Sequence, residues 1–321
     1  MRKAEIEQGV TGNVVFQQPK GFEEVVCNLC RHDSYDVVLK QTLTENDVAL
    51  FSEKGIPPED TSIKTLRIVR CRECGLCYAN PRPVADLLHL WYRLATGIPC
   101  LQEPSRKMRS TASYLKRLRS LAPGNRLLDV GCYTGFFLKA AHESGWDVQG
   151  VEPSDWASRY VREILHLPVV TTTLEEVSFK EESFDAITLF QVLEHVLDPR
   201  EFLTRLQRLL VRGGVLALSV PDIHTPFARV LKEKSWLLRP CHLYYFSPKT
   251  LSAYLDQTGF EPIWKGTAVN VFNLSYVAEH LKPYLGKLAT VFYKTLYFLR
   301  LDRVGIQVDL GDLLLMYARK K

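Results

Sequence analysis

Leu127-Leu128-Asp129-Val130-Gly131-Cys132-Tyr133-Thr134-Gly135-Phe136-Phe137-Leu138 is an apolar run that closes on an acid, crosses a turn with two glycines and enters a helical pattern. Such a strand-turn-helix unit suits a nucleotide-like ligand. Glycine lets backbone N–H groups approach closely, and the helix that follows aims the positive end of its dipole at the ligand. About 20 residues on, Val148-Gln149-Gly150-Val151-Glu152 is a second short strand ending in a carboxylate, the group that grips two ribose hydroxyls at this spacing. A third apolar run, Ser183 to His195, opens into polar groups at its C-terminal end, where open α/β sheets bind ligands.

With Asp129-Val130-Gly131-Cys132, Val151-Glu152-Pro153-Ser154 and Val192-Leu193-Glu194-His195, the chain resembles the class I S-adenosylmethionine-dependent methyltransferases over roughly residues 122 to 321. The resemblance implies a Rossmann-like, mostly parallel α/β sheet with an antiparallel last strand. It also implies S-adenosylmethionine as cofactor. Carried over by position, Gly131 and Gly135 line the methionine part, with Asp129, Cys132 and Tyr133 in the same turn. Glu152, followed by Pro153, meets the ribose; Thr173 and Leu174 meet the adenine; Gln191 and Val192 lie near the transferred methyl.

Two positions depart from the family pattern. Tyr133 stands where the middle glycine of Gly-x-Gly-x-Gly is usual, and the expectation is that it points outward with a negative φ and covers the cofactor. Gln191 replaces a common acid and supplies a hydrogen bond without charge. A dinucleotide oxidoreductase fits less well, because Gly131-x-x-x-Gly135 followed by Phe136-Phe137 lacks the small residue that a Gly-x-Gly-x-x-Gly helix packs with.

Four of the eight cysteines form two Cys-x-x-Cys pairs, Cys27/Cys30 and Cys71/Cys74. Four thiolates close a tetrahedron around structural zinc, with turn residues such as Gly75 turning backbone N–H groups toward the sulfurs. Disulfides or a redox pair are the alternatives. The stretch between the pairs is expected to form a β-hairpin arm, and Cys77 reads as a buried residue of the strand Leu76–Ala79. Cys100, Cys132 and Cys241 show no partner at ligand spacing.

The domain reading is a tail over 1–20, a zinc-binding, zinc-ribbon-like module over 21–83, a helical linker or cap over 84–121 and the methyltransferase domain over 122–321. Phe136–Ser144, Asp155–Leu165, Pro199–Leu210 and Ser247–Thr258 read as helices, Val215–Val220 and Asp312–Arg319 as strands. The insertion 273–300 reads as an amphipathic helix, with Leu281, Leu285, Leu288, Phe292 and Leu299 as its stripe and Lys282, Lys287 and Lys294 beside it. It would pack as a lid or homodimer surface, or lie on a membrane.

The composition, 46% hydrophobic and 24% charged with net charge +5, is that of a soluble globular protein. A polar start, Met1 to Gln8, and no membrane-length apolar run give the expectation of a cytoplasmic location. The basic stretch Arg106–Arg119 reads as a solvated helix face or a surface for an anionic substrate. An RNA methyltransferase is the weaker reading, since an Asn-Pro-Pro-Tyr-like motif is missing after the fourth strand. A binding protein with a degenerate cofactor site is a third.

S-adenosylmethionine already carries an electrophilic methyl, so the protein aligns an acceptor and removes its proton. In sugar C-methyltransferases, which the paired cysteine module also resembles, a Glu-His pair after the fourth strand is implicated in deprotonation; that places Glu194 and His195 in the role. His242, in Pro240–Ser247, is the other candidate base, and His224 a weaker one. Structural roles for both histidines stay open. The sugar enzymes carry a further C-terminal domain for which this chain has no room, so the expected reaction methylates an oxygen or carbon of a small or glycan-linked acceptor, with small hydroxylated molecules favoured.

Overall fold

The computed structural model describes residues 21–54, 66–94, 104–222, 225, 237–268, 270–274, 278, 286–299, 305–308 and 311–321. The expected tail over 1–20, Cys100, His224 and residues 279–285 of the expected amphipathic helix lie outside the described residues.

Ahead of the glycine turn come β1 (Phe22–Glu23), β2 (Tyr35–Leu39), α1 (Glu45–Lys54), β3 (Ile68–Cys71), β4 (Cys77–Ala79), β5 (Arg82–Pro83), α2 (Ala85–Leu94) and α3 (Pro104–Leu121). From there β6 (Arg126–Val130), α4 (Phe136–Glu143), β7 (Asp147–Val151), α5 (Asp155–Glu163), β8 (Val169–Val170), β9 (Phe184–Phe190), α6 (Pro199–Leu209) and β10 (Leu210–Pro221) alternate. The rest comprises β11 (Tyr244–Tyr245), α7 (Pro248–Gln257), β12 (Phe260–Thr267), β13 (Asn270–Asn273), α8 (Lys287–Phe298), β14 (Gly305–Val308) and β15 (Leu313–Lys320).

The main sheet runs β12-β15-β10-β9-β6-β7-β8. Neighbours from β10 to β8 pair in parallel, and β15 is antiparallel to both β10 and β12. This is the fold expected from the sequence. Strand order reverses between β6 and β9, and a parallel sheet opens a crevice at such a point because successive crossovers leave in opposite directions.

Local chemistry explains why the helices start where they do. Ser154 caps α5 by accepting from Ala157, and Asp198 caps α6 with Pro199 in the first turn. Ser247 and Thr250 form a reciprocal capping box at α7. Pairing of β10 starts earlier than the expected Val215, at Leu210 opposite Phe184, with a shift of register before Val215. Gly213, at φ 76°, sits within that irregular stretch, which the sequence presents as a simple break.

Two expectations about insertions change. The stretch between the cysteine pairs forms antiparallel β2 and β3 but also holds α1, whose Phe51 is buried against Trp91 of α2. The segment from residue 273 begins on a strand, since β13 pairs with β14, and its described helix is α8. Leu288, Val291, Phe292 and Phe298 of α8 are exposed, while Ala289 and Leu296 are buried.

The cysteine-bearing sheet has the order β11-β4-β3-β2, so a strand from residues 244–245 completes it. One hydrophobic core runs from Cys27, Ile68 and Tyr78 through Leu189 and Leu218 to Tyr254 and Met316. Arg200 of α6 donates to the Leu29 carbonyl, and Tyr254 of α7 donates to Asn28 Oδ1 at 3.1 Å. No helix among the described residues is long and apolar enough to cross a membrane.

Candidate functional site

At the carboxyl ends of β6, β7 and β9 the glycine turn folds back on the sheet. Gly131 has φ 68° and a Cβ there would stand 2.5 Å from Val192 Cγ2, so both conformation and space require glycine. Gly135, at φ 70°, caps α4, and a Cβ would meet Val161 Cγ2 at 2.8 Å. Between them Tyr133 has φ 47°, which corrects the expectation of a negative angle. Its N–H donates to Glu152 Oε2 at 2.8 Å, and this bond turns the peptide inward. The Tyr133 ring stands beside Trp156 of α5, ring centroids 6.4 Å apart.

Glu152 is clasped a second time, Oε1 accepting from Ser154 N–H at 2.9 Å. Burial nevertheless pushes its carboxyl up to about 7, the two backbone bonds opposing the rise. Asp129 at the end of β6 is also raised to about 7 by burial, against a 2.7 Å bond from Thr188 Oγ1. Cys132 is buried, its Sγ 2.9 Å from where a Cβ on Gly150 would sit. Pro153 leads into the α5 cap, Leu174 is buried and Thr173 half-buried. Gln191 is exposed just past β9 with φ 56°, its N–H bonded to Ser219 O at 2.8 Å.

A short 3-10 turn, Leu193–His195, follows β9 and carries the expected polar pair. Glu194 is fully buried, neither carboxylate oxygen has a hydrogen-bond partner, and burial raises its pKa to about 8. His195 Nδ1 lies 2.9 Å from Cys241 O and 2.8 Å from Tyr92 Oη. Burial pushes this ring down to about 4, and pushes His242 down as well. The structure brings the two histidines together, ring centroids 4.7 Å apart, and holds His242 Nδ1 2.7 Å from Leu237 O. Backbone bonds lock the arrangement: Leu243 N–H donates to Glu194 O at 2.7 Å and Ala79 N–H to Leu243 O at 2.8 Å.

The cysteine pairs also converge. The sulfurs of Cys27, Cys30, Cys71 and Cys74 lie within 4.8 Å of one another, with Cys27–Cys74 at 3.5 Å and Cys30–Cys71 at 3.4 Å. Zinc–thiolate bonds of about 2.3 Å give a tetrahedron with edges of about 3.8 Å, close to these separations. Backbone N–H groups of Leu29 and Cys30 point at Cys27, and that of Leu76 at Cys74. Cys77 is buried in β4, as expected for a packed residue.

Residues 104–264, half of the chain, match the family described as methyltransferase domain. The chain belongs to this family. It is an S-adenosylmethionine-dependent methyltransferase. Among relatives, a ubiquinone biosynthesis O-methyltransferase of Dinoroseobacter shibae is 29% identical over 168 residues, 48% of this chain and 68% of that protein. A protein of the same description from a Ruegeria species is 30% identical over 46% of this chain and 65% of its own length. This methyltransferase thus spans about two thirds of the length of these relatives. A solved S-adenosylmethionine-dependent methyltransferase from Archaeoglobus fulgidus aligns with 70% of this chain and all of its own, at 18% identity and a TM-score of 0.46.

Two residues of the methyltransferase's polar cluster escaped the sequence reading. Tyr92 lies on α2, far along the chain from the His195 it touches, and no local pattern distinguishes its hydroxyl from that of any half-buried helix tyrosine. Cys241 has no cysteine at ligand spacing, and only the fold sets it against two histidines.

Proposed function

We propose that this methyltransferase moves the methyl group of S-adenosylmethionine to an oxygen of a small hydroxylated acceptor, with the cofactor in the crevice formed by the turn Asp129–Gly135, Glu152-Pro153, Thr173-Leu174 and Gln191-Val192. The observation that carries this reading is the pairing of that crevice with the Glu194, His195 and His242 cluster at the same end of β9. The O-methyltransferase relatives support oxygen as the attacked atom.

Gly131 and Gly135 leave room for the methionine part, and Glu152 accepts from the ribose hydroxyls through the lone pairs that Tyr133 and Ser154 do not use. When bound, the cofactor supplies a methyl on a sulfonium, already electrophilic. The chain's own work is to hold the acceptor oxygen in line and take its proton. A carbonyl only accepts, so His195 Nδ1 carries the proton toward Cys241 O and its Nε2 keeps a lone pair for the acceptor. Glu194, the preceding residue of the same turn, would offset the imidazolium in its ionised form.

We propose further that Cys27, Cys30, Cys71 and Cys74 hold zinc. Four thiolates leave no open position, so the ion would fold the module and activate no water.

The test is methyl transfer from labelled S-adenosylmethionine to a panel of small hydroxylated acceptors, phenols included. His195→Gln is expected to lower turnover about 100-fold or more while cofactor binding stays within twofold of native. Full turnover by His195→Gln would remove the base, and transfer to RNA but to no small acceptor would overturn the acceptor class.

A further inference from the structure

Outside the four-cysteine cluster, three side chains with metal-ligand chemistry meet at the turn that follows β9. One ring nitrogen each of His195 and His242 and the Cys241 sulfur lie within 4.8 Å of one another. Both Nδ1 atoms are tied to backbone carbonyls, Cys241 O at 2.9 Å and Leu237 O at 2.7 Å. A carbonyl cannot donate, so these contacts suit rings protonated at Nδ1 with a lone pair at Nε2, the Tyr92 hydroxyl 2.8 Å from His195 Nδ1 then donating to Cys241 O instead. Metal-bound histidines have this second shell: the outer N–H on a carbonyl fixes the tautomer and aims the inner nitrogen.

Arg239 brings one positive charge near the two histidines and Cys241, and Glu194 is the carboxyl group on the other side of the balance. Glu194 is fully buried with both oxygens unpartnered, and its charge acts on both Cys241 and Tyr92. A dication bound by one thiolate keeps a further positive charge, which the Glu194 carboxyl can offset. His195 is half-buried, and Cys241 and His242 are buried.

We propose that His195 and His242, through Nε2, and Cys241, through Sγ, bind a divalent cation of the zinc class, with Glu194 as the balancing carboxylate. Two imidazoles and a thiolate select a borderline-soft ion over magnesium or calcium. Three protein ligands leave a fourth position open, which separates this site from the closed four-thiolate cluster.

The consequence for catalysis rests on reading this cluster as the acceptor's side of the crevice. An acceptor hydroxyl at the fourth position loses its proton to solvent, because the ion lowers its pKa, and attacks as the oxyanion. A new O–CH3 bond forms as the S–CH3 bond breaks, the electron pair going to sulfur. In the metal-loaded chain His195 is a ligand, and the ion takes over activation of the acceptor.

The experiment is cadmium-113 magnetic resonance of the full chain loaded with cadmium, beside calorimetry with S-adenosylmethionine on the same samples. Thiolate ligands move the cadmium resonance downfield and nitrogen or oxygen ligands leave it far upfield of a four-thiolate site. The native chain is expected to show an upfield resonance of mixed ligation, absent in Cys241→Ser and in His242→Asn. Loss of that resonance in variants that still bind S-adenosylmethionine supports the site. A native chain with only a four-thiolate resonance, or an upfield resonance that persists in both variants, overturns it. Cofactor binding retained in the native chain would leave the methyltransferase reading standing in either case.

Discussion

A single methyl group tests the turn proposed to carry the cofactor. At Gly131 an alanine would need φ 68° and would place its Cβ 2.5 Å from Val192 Cγ2. The left-handed conformation alone costs about 1–2 kcal/mol, and the overlap pushes Val192 out of the crevice floor. Gly131→Ala is therefore expected to lower the Tm by several degrees, at roughly 4 °C or less per kcal/mol for a chain of this size, and to weaken S-adenosylmethionine binding at least tenfold, read by thermal melts and calorimetry. Unchanged affinity would show that the turn does not touch the cofactor. Gly131 and Gly135 were legible because glycine's freedom is written in the residue itself. Tyr133 was not: its φ of 47° goes with a bond to Glu152, the residue that follows β7.

Elements that declare themselves by period and cap were legible. The alternation from β6 to β10 and the Ser247-Pro248 start of α7 follow from local pattern, and the antiparallel course of β15 from the family resemblance. What pattern could not disclose is β11, two tyrosines that leave the methyltransferase sheet and pair with β4. Through this strand the cysteine module holds the segment that carries Cys241 and His242. Stripping the proposed zinc with a chelator should therefore speed amide exchange at Ala79 and Leu243, whose hydrogen bonds couple β4, the 3-10 turn and residue 243, while β6 amides such as Leu128 stay protected. Equal protection of Ala79 and Leu243 before and after chelation would contradict a structural ion. Tyr92 and Cys241 belong to the same lesson, since their meeting with His195 depends on packing between distant segments.

At the scale of the molecule, a parallel sheet with a reversal of strand order supplies a crevice, and the cysteine-bearing sheet shares a hydrophobic core with the main sheet. The proposed place of the cofactor in that crevice depends on Glu152, whose carboxyl burial holds at about 7. Ribose hydroxyls donate to the ionised form, so binding must release the proton that the acid form carries. Affinity should fall as pH falls through 7, by about tenfold between pH 8 and pH 6. The most direct measurement is calorimetric titration of S-adenosylmethionine into the native chain and into Glu152→Ala at pH 6, 7 and 8. The native chain is expected to bind with one site, more tightly as pH rises, and Glu152→Ala to lose both the affinity and its pH dependence; a native chain that binds no S-adenosylmethionine, or a variant that binds it as well as the native, would contradict the placement of the cofactor.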